Sequence, residues 1–230
     1  TESLMPYPID LARKLTNKLT ELRESGEIPY LRPDGKAQVS VNYDEDEKVV
    51  SLDAVVLSTQ HDDSVSDDQD KLKEDIREKL FKAVIPDGLI TEDTKEHINP
   101  TGKFLIGGFD GDAGLTGRKI VVDSYQSFAN VGGGAFSGKD LSKVDRSGAY
   151  KAREIAKDIV KNGDYNWCSV QLSYAIGKEE PLAIYISTDK GDVEPSRELF
   201  EECKPRNIIK DLGLKETCYE DRAKFGHFRD

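Results

Sequence analysis

No stretch of this sequence stays apolar for the roughly 18–20 residues that a membrane-spanning helix needs, and no signal-peptide pattern opens it. Cysteine is scarce. Cys168, Cys203 and Cys218 are the three present, an odd set whose spacings match neither a disulfide framework nor a zinc module. They are expected as free or buried thiols in a reducing compartment, which makes the cytoplasm the expected location. Positive charge is also short: 33 Lys and Arg against 44 Asp and Glu leave a net charge of -11. That balance argues against nucleic acid as the main partner, because a phosphate backbone needs a basic face.

What is present suits a water-exposed protein with a modest core: 230 residues, 37% hydrophobic and 33% charged, enough for one large domain or two ordinary ones. Leu11, Leu15, Leu19 and Leu22 recur at helical spacing until Gly26 and Pro29. Val39, Val41 and Tyr43 alternate as a strand, the acidic run Asp44-Glu45-Asp46-Glu47 reads as a turn, and 49–59 is its hairpin partner. Ser66 is the expected N-cap of a second helix whose apolar stripe is Leu72, Ile76 and Leu80. Beyond Asn99-Pro100-Thr101-Gly102 the pattern restarts. Short strands are expected at 103–106 and 119–123, a helix at 146–161, and longer strands at 167–176 and 182–188, before a polar, mixed tail. The fold class expected is α+β, in two units, 1–102 and 103–230.

Two glycine-rich segments stand out. Residues 107–119 read Gly-Gly-Phe-Asp-Gly-Asp-Ala-Gly-Leu-Thr-Gly-Arg-Lys, and 132–140 read Gly-Gly-Gly-Ala-Phe-Ser-Gly-Lys-Asp, followed by Lys143 and Asp145-Arg146. Glycine lets backbone N–H groups approach an anion without a Cβ in the way. Arg118, Lys119, Lys139 and Lys143 add fixed cations, and Asp145 offers a hard oxygen for magnesium. Either segment alone leaves an ordinary glycine turn open as the lesser reading; both together, with those cations, point to a polyphosphate. The second comes near a P-loop, but Asp140 stands where Ser or Thr would hold magnesium, and no strand leads into it. Leu31-Arg32-Pro33-Asp34-Gly35-Lys36 is a third candidate, or a proline turn bearing surface charge. His61 reads better as a hydrogen-bonding strand-end histidine than as an acid–base group, Phe104 reads as core, and His97 and His227 have no identifiable partners.

Taken in order, these segments resemble the S-adenosylmethionine synthetases (methionine adenosyltransferases) over nearly the whole chain. The matching stretches are 31–36 with Gln38-Val39, 53–61, Ile98 to Gly102, 111–119, 132–140, Lys143 to Ser147, and Tyr174-Ala175-Ile176-Gly177. The resemblance implies three similar α+β domains about a pseudo-threefold axis, of which this chain would carry most of the central and carboxy-terminal ones, both incomplete. It implies an enzyme in which the methionine sulfur attacks the ribose C5′ of ATP and expels triphosphate, with Mg2+ and K+ as cofactors and the active site at a subunit interface.

Carried over, Lys36, Arg118, Lys119, Lys139 and Lys143 would contact the phosphates, Asp145 would bind Mg2+, and Asp112 and Lys143 would meet methionine. Asp34, Gly35, Lys103, Phe104 (stacked on adenine), Asp112 and the Ala135 backbone would line the ATP site, with Ser58 and Ile176 nearby. Three departures stand out. Lys103 replaces a usual Arg, whose planar fork an ammonium cannot reproduce. Phe128-Ala129-Asn130-Val131 replaces a usual Ala-Arg-His, and the end departs from Tyr-Gly-His-Phe-Gly. The family's Gly-His-Pro-Asp-Lys motif occurs nowhere in the 230 residues. The expectation is therefore an oligomer, homo- or hetero-, in which another chain supplies the amino-terminal elements. The alternative is a non-catalytic partner subunit of a complete synthetase.

Overall fold

The computed structural model describes residues 1–115 and 117–228. They form two compact units: Thr1 with Met5–Gly114, and Glu2–Leu4 with the residues from Leu115 onward. None of the described helices is long and apolar enough to cross a membrane.

In the first unit, α1 (Tyr7–Glu24) starts after Pro6, with Pro8 in its first turn where no N–H is missed. Its stripe of Leu11, Leu15, Leu19 and Leu22 is buried. The facing hairpin pairs β1 (Leu31–Tyr43) antiparallel with β2 (Val49–His61). Asp44 shapes the acidic turn, its carboxylate accepting from the N–H groups of Asp46 and Lys48 at 3.0 and 2.8 Å.

Two irregularities in the ladder matter. Leu31 pairs with His61 but Gly35 with Thr59, so Arg32-Pro33-Asp34 bow out, as suits a proline with no N–H for the ladder. Ser40 pairs with Ala54 but Val41 with Leu52, which leaves Asp53 as a bulge. That extra residue is why Leu52 and Val55, three apart, both face the core, after which Leu57, Thr59 and His61 follow at period two.

After β2, α2 (Gln69–Ile76) passes through a π-helical turn, Arg77–Phe81, into a short α3 (Lys82–Val84). The expected stripe Leu72, Ile76 and Leu80 is fully buried, and the wider turn brings Phe81 inward beside Leu80. The cap is not Ser66, which closes a one-turn 3-10 segment instead; Asp68 caps α2, accepting from Lys71 N–H at 3.0 Å. Asp68 wins because it stands immediately before the first helical residue, with non-helical backbone angles that turn its carboxylate to the open N–H groups, whereas Ser66 is itself helical.

A strand that the periodicity did not indicate, β3 (Lys95–Ile98), runs parallel to β2 and gives the order β1-β2-β3. Asn99 continues that edge. Its side chain accepts from Thr59 N–H at 2.8 Å and donates to Thr59 C=O at 3.1 Å, imitating a peptide group in a buried position. Asn99→Ala leaves both groups of Thr59 unpaired. At about 1–3 kcal/mol per buried unsatisfied group, a loss of roughly 2–6 kcal/mol in urea unfolding is expected; a loss below about 1 kcal/mol would show that water replaces the amide.

The second unit opens with α4 (Ile120–Asp123), then α5 (Val144–Asn162), the antiparallel sheet β4 (Cys168–Ser173), β5 (Ala183–Thr188) and β6 (Gly191–Asp192), and α6 (Arg197–Glu202), α7 (Pro205–Asp211) and α8 (Tyr219–Ala223). Ile155, Ile184, Ile186 and Cys203 form one of its buried clusters. Lys151, nearly buried on α5, pairs with Glu154 at 2.8 Å, Glu202 at 3.3 Å and Asp211 at 4.0 Å, which ties α5 to α6 and α7. The three cysteines are free, and burial pushes the Cys168 and Cys203 thiols up to about 11.

Several expectations fail here. Residues 119–123 form a helical turn rather than a strand, 103–106, in the first unit, is irregular, and both long strands are shorter than expected; the tail, expected only as polar and mixed, carries α6, α7 and α8. Ile120-Val121-Val122 favours strand by composition, but Ser124 Oγ donates to Ile120 C=O at 2.9 Å and Asp123 C=O accepts from His227 N–H at 2.9 Å. Tertiary bonding overrides β propensity.

Candidate functional site

The candidate residues fall into two sets, one in each unit. In the first unit, the bow of β1 carries Asp34, whose carboxylate accepts from Gly108 N–H at 2.9 Å. Gly108 C=O accepts from Asp112 N–H at 2.9 Å, so Asp34 and Asp112 share one glycine turn. The segment leading into that turn is fastened to the end of β2. His61 donates its backbone N–H to Phe104 C=O at 3.0 Å and accepts Phe104 N–H on Nε2 at 3.1 Å. Because Nε2 accepts, the ring proton sits on Nδ1 and is donated to Asp62 C=O at 2.8 Å. His61 is thus the hydrogen-bonding strand-end histidine that the sequence suggested.

Gln60 adds a bond to Leu105 C=O at 3.0 Å. Phe104 is half-buried while Ile106 is exposed, so the segment is not a core strand. Gly35 lies flat on α1: a Cβ there would fall 2.6 Å from Leu19 Cδ2. Lys36, exposed, pairs in register with Ser58. Lys103 is held by Asp67 at 2.6 Å, and that ion pair draws the Asp67 carboxyl below its usual range.

The second unit gathers the other set. Asp145 lies in the first turn of α5, which follows Lys143. A Cβ on Gly134 would meet Asp145 Cγ at 2.3 Å, so the last residue of the triple glycine approaches the carboxylate more closely than any side chain permits. Lys139 Nζ stands 3.5 Å from Asp145 Oδ2. A Cβ on Gly117 would fall 2.9 Å from Ala135 Cβ, which puts the backbone just before Arg118 and Lys119 against the same loop. Both of those cations are exposed, as is Lys143. Ile176 is fully exposed on the connection between β4 and β5.

Asp140, at the P-loop position, instead accepts from Ser142 N–H and Oγ at 2.9 and 2.5 Å, and the Ser142 hydroxyl holds its carboxyl below the usual range. The segment is therefore a local aspartate turn rather than a magnesium-hydroxyl site.

Among the described residues no three His, Cys, Asp or Glu side chains converge on a metal position. A single half-exposed carboxylate beside cations and glycine amides suits Mg2+ nonetheless, because that ion keeps water and takes phosphate oxygens for most of its shell.

Sequence reasoning missed His227. It is buried, with Nδ1 2.6 Å from Tyr150 Oη and Nε2 3.2 Å from Ser137 Oγ, in an aromatic cluster with Phe136, Tyr150 and Phe228. Ser137 and Tyr150 lie in the loop and on α5. The only signal was its place in the terminal Gly-His-Phe.

Residues 1–104 match the family profile described as S-adenosylmethionine synthetase, central domain, and 106–230 the one described as S-adenosylmethionine synthetase, C-terminal domain. The chain is similar to the S-adenosylmethionine synthase of Streptococcus uberis, 51% identical over 234 aligned positions, and to that of Streptococcus thermophilus, 50% identical. Each match takes in 99% of this chain and 58% of the relative, so the chain spans somewhat over half the length of the proteins it matches. Glycine loop, lone carboxylate and flanking cations thus occur in a sequence matched end to end, and the chain belongs to the S-adenosylmethionine synthetase family, running across its central and C-terminal domains.

Proposed function

We propose that this chain is a methionine adenosyltransferase polypeptide, forming S-adenosylmethionine from ATP and L-methionine with release of phosphate and diphosphate. The observation that carries the reading is the convergence of Gly134, Lys139 and Asp145 in a chain that matches synthetases throughout. A thioether sulfur is neutral and needs no base to attack C5′. The barrier lies in the departing triphosphate, whose growing charge must be met by groups already in place. Lys139, Lys143, Arg118 and Lys119 are the donors for that charge. Asp145 is the residue that would hold Mg2+, which supplies further charge neutralisation at the phosphate oxygens. Phe104, fixed through His61, offers a flat face for adenine, and Asp34 and Asp112 border it through the shared turn.

The reading includes catalytic elements beyond these 230 residues, since the family's Gly-His-Pro-Asp-Lys motif does not occur among them. Those elements, with sites for K+, would come from within an oligomer in the cytoplasm. Calorimetry with Mg2+ and inorganic tripolyphosphate tests the core of the proposal. Binding is expected, and Lys139→Ala should weaken it by about 1.5–3 kcal/mol, the scale of a charge-assisted hydrogen bond. Unaltered binding in a folded Lys139→Ala protein would remove the loop from the proposed site.

One observation favours a second reading, a non-catalytic partner subunit. Lys103, which replaces the family's usual Arg, is engaged by Asp67 rather than free for a nucleotide.

A further inference from the structure

The loop at 132–138 contains four glycines and no regular structure, and Gly138 has φ 82°. Such a backbone loses much conformational entropy on being fixed, so something must hold it if Ala135 and Lys139 are to keep their places. The structure supplies the anchors at the next two residues. Phe136 is buried, its ring 5.1 Å from the imidazole of His227, 5.6 Å from Phe228 and 6.0 Å from Tyr150. Ser137 Oγ lies 3.2 Å from His227 Nε2.

The proton positions follow from the partners. Tyr150 Oη is buried against the ring, and His227 Nδ1, at 2.6 Å, is its hydrogen-bond partner among the described residues. A buried hydroxyl leaves its proton unsatisfied unless it donates, so the phenol donates to Nδ1. The ring proton is then on Nε2 and is given to Ser137 Oγ. The chain of bonds runs from α5, the helix that carries Asp145, through the imidazole to the loop. His227 N–H, bonded to Asp123 C=O at 2.9 Å, fixes the imidazole from behind.

We propose that His227 is a positioning residue for the polyphosphate loop, relaying the placement of α5 to Ser137 so that Ala135 and Lys139 stay in register with Asp145. It does not touch the ligand. The inference rests on the polyphosphate reading of that loop.

The test uses the catalytically competent assembly, with Mg2+ and inorganic tripolyphosphate as the titrant and the KM for ATP as a second readout. Removing a partner that orients a metal-binding side chain typically costs about 10–100-fold, and by analogy His227→Ala is expected to weaken tripolyphosphate binding and raise the KM for ATP by about that factor. His227→Gln, which keeps an N–H within reach of Ser137, should recover most of the affinity. Ser137→Ala should weaken binding in the same direction, and adding it to His227→Ala should have little further effect, since both break one chain.

Unchanged affinity in folded His227→Ala, or full additivity of the two substitutions, overturns the proposal. If His227→Ala does not fold, Ser137→Ala and Tyr150→Phe carry the test, because each removes one hydroxyl; unchanged affinity in both would assign His227 to stability alone. Lys139→Ala separates the two levels. If it weakens binding and the His227 variants do not, the clamp fails while the polyphosphate site stands; if Lys139→Ala has no effect, the site itself has been misplaced.

Discussion

Lys119→Ala is expected to lower the rate of S-adenosylmethionine formation by about 10²–10³-fold, the cost of deleting one preorganised donor aimed at developing charge. Lys119 is exposed at the head of α4, and the backbone two residues earlier abuts the loop that carries Ala135 and Ser137. Truncation therefore removes charge without opening a core. The assay takes ATP and methionine with an assembly that includes the Gly-His-Pro-Asp-Lys element; without that element, these 230 residues are expected to show no useful turnover. Normal turnover with Lys119→Ala would make the non-catalytic subunit the better account, and robust activity from the 230 residues alone would mean that groups within them replace the missing motif.

The largest expected effect on stability is at Phe81. Its ring is 2% exposed and lies in the cluster that joins α1, β2 and the π-turn. Phe81→Ala removes the ring's burial and leaves a cavity that rigid neighbours close only in part, a combined loss of about 3–5 kcal/mol. Urea unfolding followed by far-UV dichroism measures it. Trp167, in the second unit, gives a separate fluorescence signal, which distinguishes a lesion in the first unit from failure of the whole chain. A loss under about 1 kcal/mol would show that the π-turn relaxes to fill the space.

The parts of the fold legible in advance were those where one physical pattern acts alone. The leucine stripe of α1 and that of α2 are long enough for helical period to dominate, and the hairpin has alternation with an acidic turn between its arms. Illegible were elements fixed from outside their own sequence. Lys95-Glu-His-Ile has little strand character and becomes β3 because β2 offers it an edge. The segment at 120–123 is composed like a strand and becomes a helical turn because Ser124 and His227 hold it.

The candidate site divides the same way. Glycines and cations advertise themselves by composition. The closeness of Gly134 to Asp145 and the role of His227 depend on residues 11 to 90 positions apart, and no local pattern records such pairings.

The bulge in β2 bears on where this strand tolerates a change of length. Asp53 is a residue without a rung, as is Val50 nearer the turn, and its carboxylate meets the exposed ammonium of Lys95 at 3.2 Å, a surface pair worth little. Take Asp53 away and Leu52, Ala54 and Val55 fall into plain alternation, with every inward side chain still pointing inward. A chain one residue shorter at this position would keep the same core, whereas a deletion at Val56 would turn either the half-strand before it or the half after it inside out. By the geometry of the ladder, a one-residue change of length in this half of β2 is tolerated at Asp53 and not at Val56.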